Sequence, residues 1–431
     1  MSRRRKRGHN SESTYIDNRF LVLDMIRRFA PLSKSDIAAM TGLTSMTAGN
    51  IINELCELSL IAGAGVQKSK AGRKPQVYAA SPGSRVCVSV DLSSDDITLG
   101  LVDVLGNLRA LSSFEVRKGE GTRVLHLINA LNDFCVQEAA DKQLELVGVA
   151  VAVPGIIDSE SGTVLRSVPL DWRDVPLRTV LEQIFPVPIC IGKETHASIA
   201  GEHYFGTWGD AEDILFVNVG AGIGVGVMIG NRIHRGSSEM AGELGHVVVD
   251  PSGPQCNCGN RGCLEKLASL RSIVDRASEA AANGESLLLA EMAENRGGSL
   301  AIADVFTAFE EEDPVAMRIV QEAAEYLARG LIMLKRLFDP ELMIVGGNAI
   351  EDGKSYCETV LRYFREYLAN SNLPSDHDTA ITFSKLGNKG RLLGASTWAF
   401  NRFFASLLAQ SQAKNVKDTP GGQCSADHIG S

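Results

Sequence analysis

The chain has 431 residues, of which 44% are hydrophobic and 22% are charged, and its formal net charge at pH 7 is −9. This length exceeds one ordinary core, so several domains are expected, and the composition is that of a globular protein rather than a fibrous one. No apolar run of about eighteen residues is present, and no apolar segment follows the basic N-terminus, so we expect no membrane span, no secretory signal and a cytoplasmic location.

Charge is distributed unevenly along the chain. Residues 1–80 carry 13 Lys and Arg against 6 Asp and Glu, whereas the remainder is strongly acidic. A basic front end on an acidic body indicates that only the front end meets a polyanion such as DNA. Within it, residues 1–12 are polar and basic and are predicted to form a disordered arm, whose arginines would add affinity for phosphates without reading sequence.

Residues 13–82 have the pattern of a winged helix-turn-helix domain. Apolar residues recur at helical spacing before Pro31, Ser33 is suited to cap a second helix, and Gly42 forms a tight turn before a third. A basic loop between two short predicted strands would form the wing. The predicted elements are helices over 14–29, 33–40 and 44–58 and strands at 60–61 and 77–78.

The third of these helices would read the major groove, because its outer face is small and polar and an Asn amide can bond adenine at two positions. Basic wing residues would enter a minor groove, whose narrow geometry attracts cationic side chains. A helical module that binds another protein is the alternative. The residues expected to contact DNA are Ser45, Met46, Thr47, Gly49 and Asn50 on the helix and Lys68, Lys70, Arg73 and Lys74 in the wing.

Beyond Pro82, short strands rich in Val and Ile alternate with helices, which is typical of layered α/β domains. Strands are predicted at 86–91, 97–102, 147–153, 189–191, 214–219, 225–229 and 342–345. Helices are predicted at 124–140, 177–185, 197–205, 267–283, 316–338 and 392–408. The polar stretch 409–431 is predicted to be a disordered tail.

Three of the nine cysteines crowd into one short glycine-rich loop. An odd cysteine count with such clustering favours a metal site in a reducing compartment over a disulfide framework. Together with an upstream histidine, these thiolates can complete a tetrahedral shell for Zn²⁺, a closed structural site that leaves no position to activate water. Cysteines buried without a metal are the alternative. The expected ligands are His246, Cys256, Cys258 and Cys263.

The run Glu243-Leu-Gly-His246, followed by Cys256-x-Cys258-Gly-x-x-Gly-Cys263-Leu-Glu265, resembles the signature of the ROK family of repressors, open reading frames and sugar kinases. The resemblance extends over about residues 85–404. It implies an α/β fold of the actin-like, sugar-kinase-like, two-lobed ATPase type, here behind a winged helix-turn-helix domain as in the family's regulators of xylose, glucose and N-acetylglucosamine genes. The implied lobes are residues 83–205 with a C-terminal helix at 390–408, and residues 206–389 with the zinc loop.

The same resemblance implies where a carbohydrate binds. In the family, the zinc-bound histidine can bond a sugar hydroxyl through its second ring nitrogen, and carboxylates accept from adjacent hydroxyls. The family's sugar-binding Asn and catalytic Asp align with Lys193 and Glu194. The cationic Lys193 would favour an acidic sugar or a sugar phosphate, or would pair with Glu194 and close the pocket. The ligand-binding residues thus implied are Lys193, Glu194, Glu243, His246 and Glu265.

Both phosphate-binding loops depart from the family pattern. Asp-x-Gly-Gly-Thr is replaced by Asp91-Leu-Ser-Ser-Asp-Asp96, whose carboxylates would repel phosphate, and the glycine-rich turn at 220–224 has Ala221 in place of Thr. Glu194 is longer than the catalytic Asp, and a misplacement of about 1 Å can lower a rate about a hundredfold. We therefore expect Glu194 to be a vestigial base position and the protein not to be an enzyme.

These observations predict a sugar-responsive transcription regulator, and more specifically a repressor of carbohydrate transport or catabolism genes. Its partners would be a pseudo-palindromic double-stranded DNA operator and a monosaccharide or sugar-phosphate effector, with assembly as a homodimer or tetramer. Closure of the cleft on the effector would be linked to operator binding. An active sugar kinase carrying a DNA-binding module and a constitutive regulator with a dead pocket are the alternatives.

Overall fold

The computed structural model describes residues 11–66, 75–81, 85–94, 96–116, 123–139, 144–208, 211–349, 353–373 and 380–417. No helix in these ranges combines the length and the apolar character that spanning a bilayer demands. The described elements form a small N-terminal unit, followed by a body that contains two five-stranded sheets.

The N-terminal unit consists of helices α1 (Ser11–Phe29), α2 (Lys34–Thr41) and α3 (Ser45–Glu57) and strands β1 (Leu32–Ser33), β2 (Ile61–Val66) and β3 (Gln76–Ala80). The strands form an antiparallel sheet in the order β1-β3-β2. This arrangement is that of a winged helix-turn-helix. The first helix begins at Ser11, so the last two residues of the predicted arm at 1–12 are helical, and residues 1–10 lie outside the described part.

Local signals at the helix ends set the turn between α2 and α3. Ser33 and Asp36 form a capping box, in which the Ser33 N–H donates to Asp36 at 2.9 Å and the Asp36 N–H donates to the Ser33 hydroxyl at 3.2 Å. Gly42 ends α2 with a φ of 67°, a left-handed conformation that favours glycine. Thr44 caps α3 by accepting from the Thr47 N–H at 3.1 Å. The turn is thus encoded locally.

An ion pair and an apolar core join α1 to α3. Arg19 of α1 is only 1% exposed, and its Nε lies 2.9 Å from Oε1 of Glu54 on α3. A buried guanidinium needs such a partner, because desolvation disfavours an isolated charge. Around the pair, the apolar side chains of Ile26, Ile37 and Leu55 are fully buried.

Two sheets of equivalent topology form the body. The first contains β4 (Arg85–Leu92), β5 (Asp96–Asp103), β6 (Leu108–Glu115), β7 (Glu145–Val153) and β11 (Ile189–Lys193), and the second contains β12 (Ile214–Val219), β13 (Ile223–Ile229), β14 (Arg232–Ile233), β15 (Leu342–Gly346) and β16 (Ala380–Phe383). Their orders are β11-β7-β4-β5-β6 and β16-β15-β12-β13-β14. In each sheet, three strands in chain order are antiparallel, and two later strands run parallel to the first. The repeated order gives the two-lobed fold that the sequence predicted.

A small antiparallel sheet of three short strands extends the first lobe, and helices cover the large sheets. The short strands are β8 (Ile156–Asp158), β9 (Thr163–Ser167) and β10 (Trp172–Val175). The helices are α4 (Arg123–Phe134), which continues into a π-helical turn at Cys135–Ala139, α5 (Leu177–Glu182), α6 (Glu194–Phe205), α7 (Leu264–Ala268), α8 (Leu270–Ala282), α9 (Leu287–Asn295), α10 (Ile302–Glu310), α11 (Pro314–Phe338), α12 (Lys354–Ala369) and α13 (Lys389–Lys417).

Helices α6 and α13 pack with their backbones in contact. A Cβ on Gly394 of α13 would lie 1.7 Å from the carbonyl oxygen of Ala197 on α6, and a Cβ on Gly201 would lie 2.0 Å from that of Gly390. Only glycine leaves room for so close an approach. This packing brings Arg391, near the start of α13, to 3.7 Å from Glu194, the first residue of α6.

Two predicted helices differ from the observed ones. The helix predicted at 267–283 is interrupted at Ser269, whose extended backbone ends α7 and whose hydroxyl caps α8 by accepting from the Ser272 N–H at 3.1 Å. The C-terminal helix continues to Lys417, so residues 409–417 of the predicted tail are helical, and residues 418–431 lie outside the described part. Strands β1, β6, β8–β10, β14 and β16 and helices α9, α10 and α12 were not predicted. Short strands and edge strands carry weak periodic patterns.

Candidate effector cleft, metal centre and nucleic-acid interface

Lys193 lies at the junction of β11 and α6, where the first sheet faces the second lobe. It is 5% exposed, and its ammonium donates to the Glu243 carboxylate and to the carbonyl oxygen of Ala241 at 3.4 Å. The alternative in which Lys193 pairs with Glu194 is therefore wrong. The tertiary structure instead brings a carboxylate from the second lobe to the buried ammonium, which satisfies the charge that burial would otherwise disfavour.

Glu194 pairs with an arginine that the sequence did not single out. Arg391, near the start of α13, has Nη1 at 3.7 Å from Oε2 of Glu194 and Nε at 3.3 Å from Oδ2 of Asp91. Burial raises the pKa values of Asp91 and Glu194, and the Arg391 guanidinium opposes that rise. Nothing in the local sequence marks Arg391, because only the packing of α13 on α6 brings it to these carboxylates.

The four predicted metal ligands converge. Their ligand atoms all lie within 4.8 Å of one another, with Sγ of Cys258 at 3.5 Å from Sγ of Cys263 and Sγ of Cys256 at 3.6 Å from Nδ1 of His246. In a tetrahedral zinc site with Zn–S bonds of about 2.3 Å, neighbouring ligand atoms are separated by about 3.7 Å. The donor set and its spacing therefore fit a tetrahedral metal ion.

Residues 246–263, called the metal loop below, contain the four proposed metal ligands. Their backbone conformation depends on a close approach between Gly262 and Asp250. The φ of Gly262 is 68°, and a Cβ there would lie 1.4 Å from the carbonyl oxygen of Asp250. Glycine is therefore required for the loop to fold back between Cys256 and Cys263. A backbone hydrogen bond from the Asn260 N–H is the largest cause that lowers the pKa of the Cys258 thiol, which favours the thiolate form that binds metals.

The metal loop places three of the implied sugar contacts side by side. With Nδ1 of His246 turned to the cysteines, its Nε2 lies 3.9 Å from Oε2 of Glu243. Glu265 follows the last cysteine, and its Cβ lies near Gly245, where a Cβ on the glycine would be 3.3 Å away. The five implied ligand-binding positions thus gather in one region, since Glu243 in turn contacts Lys193 and lies near Glu194.

The glycine-rich turn of the second sheet holds an internal carboxylate. Oε2 of Glu265 accepts from the Ile223 N–H at 3.2 Å, and a Cβ on Gly222 would lie 2.5 Å from the same oxygen. The Gly220 N–H donates to the Gly222 carbonyl oxygen at 3.0 Å. Two backbone amides of this turn, those of Gly220 and Ile223, are therefore bonded within the chain rather than open to a phosphate.

The corresponding turn of the first sheet is closed by its own hydrogen bonds. The Ser93 N–H donates to the Asp96 carbonyl oxygen at 2.9 Å, and the Asp96 N–H donates to the Ser93 hydroxyl at 2.9 Å. Ser93 thus supplies a side chain where the family pattern has a glycine loop open to phosphate. Asp95 lies outside the described residues.

His196 was missed as a candidate functional residue. It is 1% exposed, and neither ring nitrogen has a hydrogen-bond partner within the described part of the chain. Burial, followed by the positive charges of Arg235 and Lys193, lowers the pKa of His196 to about 3, so the ring is neutral. A neutral imidazole offers one donor and one acceptor, the complement of a hydroxyl group. The available signal was its position two residues after Glu194, within the run that resembles the family's sugar-binding motif.

The predicted DNA-reading residues are partly exposed on α3. Ser45, Met46 and Asn50 are exposed, and the Thr47 hydroxyl bonds that of Thr44 at 2.8 Å as part of the helix cap. Gly49 was expected on the same face, but it is buried because the Lys34 side chain lies over it. The predicted wing contacts lie outside the described residues; they are Lys68, Lys70, Arg73 and Lys74.

The N-terminal unit contacts the far end of α6. The Arg27 guanidinium of α1 lies 4.4 Å from the ring centroid of Tyr204 and 5.4 Å from that of Phe205. Since α6 begins at Glu194, one helix extends from the cleft to α1. A cavity of about 170 Å³ lies at this junction; Leu23, Asp24, Arg27, Tyr204, Asn401 and Phe404 line it.

A winged helix-turn-helix followed by two equivalent α/β lobes, with carboxylates gathered beside a metal loop, defines the class of regulators built on a sugar-kinase-like fold. Comparison with known proteins agrees. The model of the ROK family matches residues 87–402, so the chain belongs to the ROK family.

Relatives of both kinds occur in this family. A xylose repressor of Caldicellulosiruptor bescii is 30% identical over 384 residues, which cover 88% of this chain and 94% of the relative. A glucokinase of Halalkalibacterium halodurans is 29% identical over 317 residues, 71% of this chain and 92% of the relative. A crystal structure of a ROK family transcriptional regulator, a homologue of E. coli Mlc, is 25% identical with a TM-score of 0.77 and covers 92% of this chain and 98% of its own. The regulator thus matches the N-terminal unit as well.

Proposed function

We propose that this protein is a sugar-responsive transcriptional repressor, which binds operator DNA through α2 and α3 and a carbohydrate in the cleft between its lobes. The similarity to xylose repressors over most of both chains supports this function, whereas the similarity to glucokinases covers a smaller share of this chain. A repressor of this kind acts on chromosomal DNA, which is consistent with a cytoplasmic protein.

The observation that carries the proposal is the extent of α6. Its first residues, with Lys193 before them, belong to the cluster of implied sugar contacts, and its last residues contact Arg27 of α1. A ligand that favours one cleft arrangement can thereby favour one placement of the DNA-binding unit. Effector and operator would then bind with linked free energies, each lowering the affinity of the other.

The proposed ligand-binding residues are Lys193, Glu194, Glu243, His246 and Glu265. Glu243 and Glu265 would accept from sugar hydroxyls, and Nε2 of His246 would donate to one, because its Nδ1 faces the cysteines. Lys193 pairs with Glu243. The positive charge of Lys193 therefore reduces the attraction that the carboxylates of Glu243 and Glu265 would have for a cationic sugar. The effector we expect is a neutral monosaccharide or a sugar phosphate.

We propose Zn²⁺ as the metal held by His246, Cys256, Cys258 and Cys263. A closed shell of one imidazole and three thiolates contributes folding free energy and holds His246 and Glu265 in place, but supplies no activated water. For DNA binding, we expect a homodimer or a tetramer on a pseudo-palindromic operator, because two-fold protein symmetry is mirrored in half-sites. Ser45, Met46, Thr47 and Asn50 would read bases, and the wing lysines and Arg73 would contact the minor groove.

Kinase activity is not part of the proposed function. The first turn closes its amides on Ser93 and Asp96, and in the second turn the Ile223 N–H bonds Glu265. Arg391 forms ion pairs with both Glu194 and Asp91. Glu194, the residue aligned with the catalytic base, is therefore already ion-paired. Phosphoryl transfer depends on positioning and on stabilising charge at the phosphate, and neither turn leaves these groups open.

A DNA-binding assay with and without sugars tests the function. At fixed salt, the protein should shift a fragment from the control region of its own gene neighbourhood, and one aldose or sugar phosphate should release it. No shift at any fragment from that neighbourhood, or shifts that no sugar changes, would contradict a sugar-responsive repressor. The fixed salt matters because phosphate contacts make affinity strongly salt-dependent.

An assay of ADP release separates repressor from kinase. With a panel of aldoses, amino sugars and sugar phosphates, we expect no turnover above background. Turnover near about 10 per second, a typical enzyme value, would establish the active sugar kinase instead.

A further inference from the structure

The side chain of Lys34 lies against the DNA-reading helix. Lys34 is the first residue of α2, and a Cβ on Gly49 of α3 would stand 1.8 Å from Nζ of Lys34 and 2.3 Å from its Cε. Lys34 is exposed, whereas Gly49 is buried although α3 has no side chain there. The lysine side chain is what covers Gly49, and it fills the space that any larger residue at this position would occupy.

Gly49 stands at the edge of the exposed face of α3. Met46, three residues before it, is 76% exposed, and Asn53, four residues after it, is exposed too. Residues three and four apart share one side of a helix, so Met46, Gly49 and Asn53 lie on one side of α3. Because the Lys34 ammonium lies against Gly49, it is close to this side. No described residue forms an ion pair with Lys34, so its charge is available to an external anion.

We propose that Lys34 binds a DNA phosphate beside the groove that α3 enters, and that Gly49 is required to admit its side chain. The inference rests on the proposed function in DNA binding. A lysine ammonium is a compact point charge that suits a phosphate oxygen, and in helix-turn-helix proteins the first helix of the motif crosses the DNA backbone while the second enters the groove. Such a contact positions α3 without reading sequence.

The first test is the substitution Lys34→Ala in the full chain. Two probes are used: a random-sequence duplex, and a duplex recovered by the wild-type protein from a randomised pool. Affinity should fall roughly twofold to fivefold on both, as for one exposed ion pair. The slope of log affinity against log salt should become shallower by about 0.9, the value for one lost phosphate contact. Lys354→Ala is the matched control, because Lys354 is an exposed lysine on α12 with 87% of its side chain accessible.

The second test is Gly49→Ala, alone and combined with Lys34→Ala. The atoms that a methyl group would meet belong to the far end of a flexible side chain, so the fold should be retained, and alanine raises helix propensity by up to about 1 kcal/mol. The displaced ammonium should lower DNA affinity as far as Lys34→Ala does. The double substitution should add no further loss, since both changes remove one contact. Thermal unfolding of each variant checks the fold.

Each outcome bears on a separate part of the inference. Wild-type affinity and salt slope in the Lys34→Ala protein would overturn the contact, and a loss confined to the selected duplex would reveal a base contact and overturn the assignment to phosphate. Unchanged affinity in the Gly49→Ala protein, or additive losses in the double variant, would overturn the role of Gly49. If the wild-type protein recovered no duplex from the pool and did not bind the random-sequence duplex, the proposed function itself would fall, and this inference with it.

Discussion

The turns that join the first two strands of each sheet occupy equivalent places in the two lobes and differ in chemistry. The turn between β4 and β5 is polar and acidic and is closed by hydrogen bonds between Ser93 and Asp96. The turn between β12 and β13 keeps its glycines, but the Ile223 N–H bonds the carboxylate of Glu265. Topology therefore provides two turns in equivalent positions, while the side chains around them decide whether a phosphate or an internal group uses their amides.

The side chains that surround the two turns also differ. Beside the first turn, Arg391 forms ion pairs with both Asp91 and Glu194, so an internal ion cluster lies there. Beside the second turn, the Glu265 carboxylate lies next to Gly222, and His246 faces Cys256 with its Nδ1. The comparison shows an ion cluster beside the first turn and the cysteine and histidine cluster near the second, and the proposed function assigns the carbohydrate to the region between them.

The largest expected effect is on the metal loop, which supports the second turn. Cys258→Ala should reduce bound zinc from about one ion per chain to near zero and lower the free energy of unfolding by about 5 kcal/mol or more, because structural metal binding is folding free energy. Metal analysis and thermal unfolding measure this. Cys135→Ala, a cysteine in the first lobe, is the control and should keep its metal. A Cys258→Ala protein with full metal content would contradict the proposed ligand set.

Arg391→Ala should have the next largest effect, at the first turn. The substitution leaves the carboxylates of Asp91 and Glu194 close together without their shared cation, which should lower the free energy of unfolding by about 3 kcal/mol. Urea denaturation measures the loss. Lys389→Ala, an exposed residue at the start of the same helix, should change stability by less than about 0.5 kcal/mol. Equal effects of the two substitutions would show that the ion cluster does not stabilise the cleft.

Glu265→Gln tests the role of the carboxylate beside the second turn in binding the effector. The amide keeps the shape but loses the charge that accepts sugar hydroxyls, so effector affinity should fall about tenfold to a hundredfold, as for a lost charged hydrogen bond. Calorimetry should use the sugar that gives the largest thermal shift with the wild-type protein. Glu279→Gln, an exposed carboxylate on α8, is the control. Wild-type affinity in the Glu265→Gln protein would remove Glu265 from the proposed site.

The smallest expected effect concerns the pH dependence of stability. The folded-state pKa of Asp91 is raised above its ordinary value of 3.8. Between pH 3.8 and the folded-state pKa, the folded state therefore binds more protons than the unfolded state. Stability contributed by this group is therefore present at low pH and is lost as pH rises through the folded-state pKa. Asp91→Asn should flatten this decline in urea midpoints measured from pH 4 to 7. An unchanged pH profile would show that Asp91 is not held in an unfavourable environment.

Much of the fold could be predicted because its signals are local. The capping residues Ser33 and Thr44 and the glycine at 42 encode the helix-turn-helix, and runs of buried apolar residues encode the central strands. The metal loop was predictable for the same reason, since its cysteines are close in sequence. Family membership and fold were confirmed, whereas the domain boundaries and the roles of the individual site residues stay predictions.

The partners of charged side chains could not be read from the sequence. Lys193 was expected to meet either a ligand or Glu194, its neighbour in the chain, yet it pairs with Glu243 from the other lobe. Arg391 and Lys34 were not singled out, because neither lies in a recognisable motif. Each reaches its observed contacts only when two helices pack, α13 on α6 and α2 on α3.

The sequence by itself determined the helix-turn-helix, the central strands, the family and the set of groups able to bind a metal, because hydrophobic period, caps and closely spaced ligands act over a few residues. Only the tertiary structure decided which charges neutralise each other and which backbone amides remain open. Those choices depend on distances between segments far apart in the chain, and electrostatic and hydrogen-bonding free energies change steeply over a few ångströms.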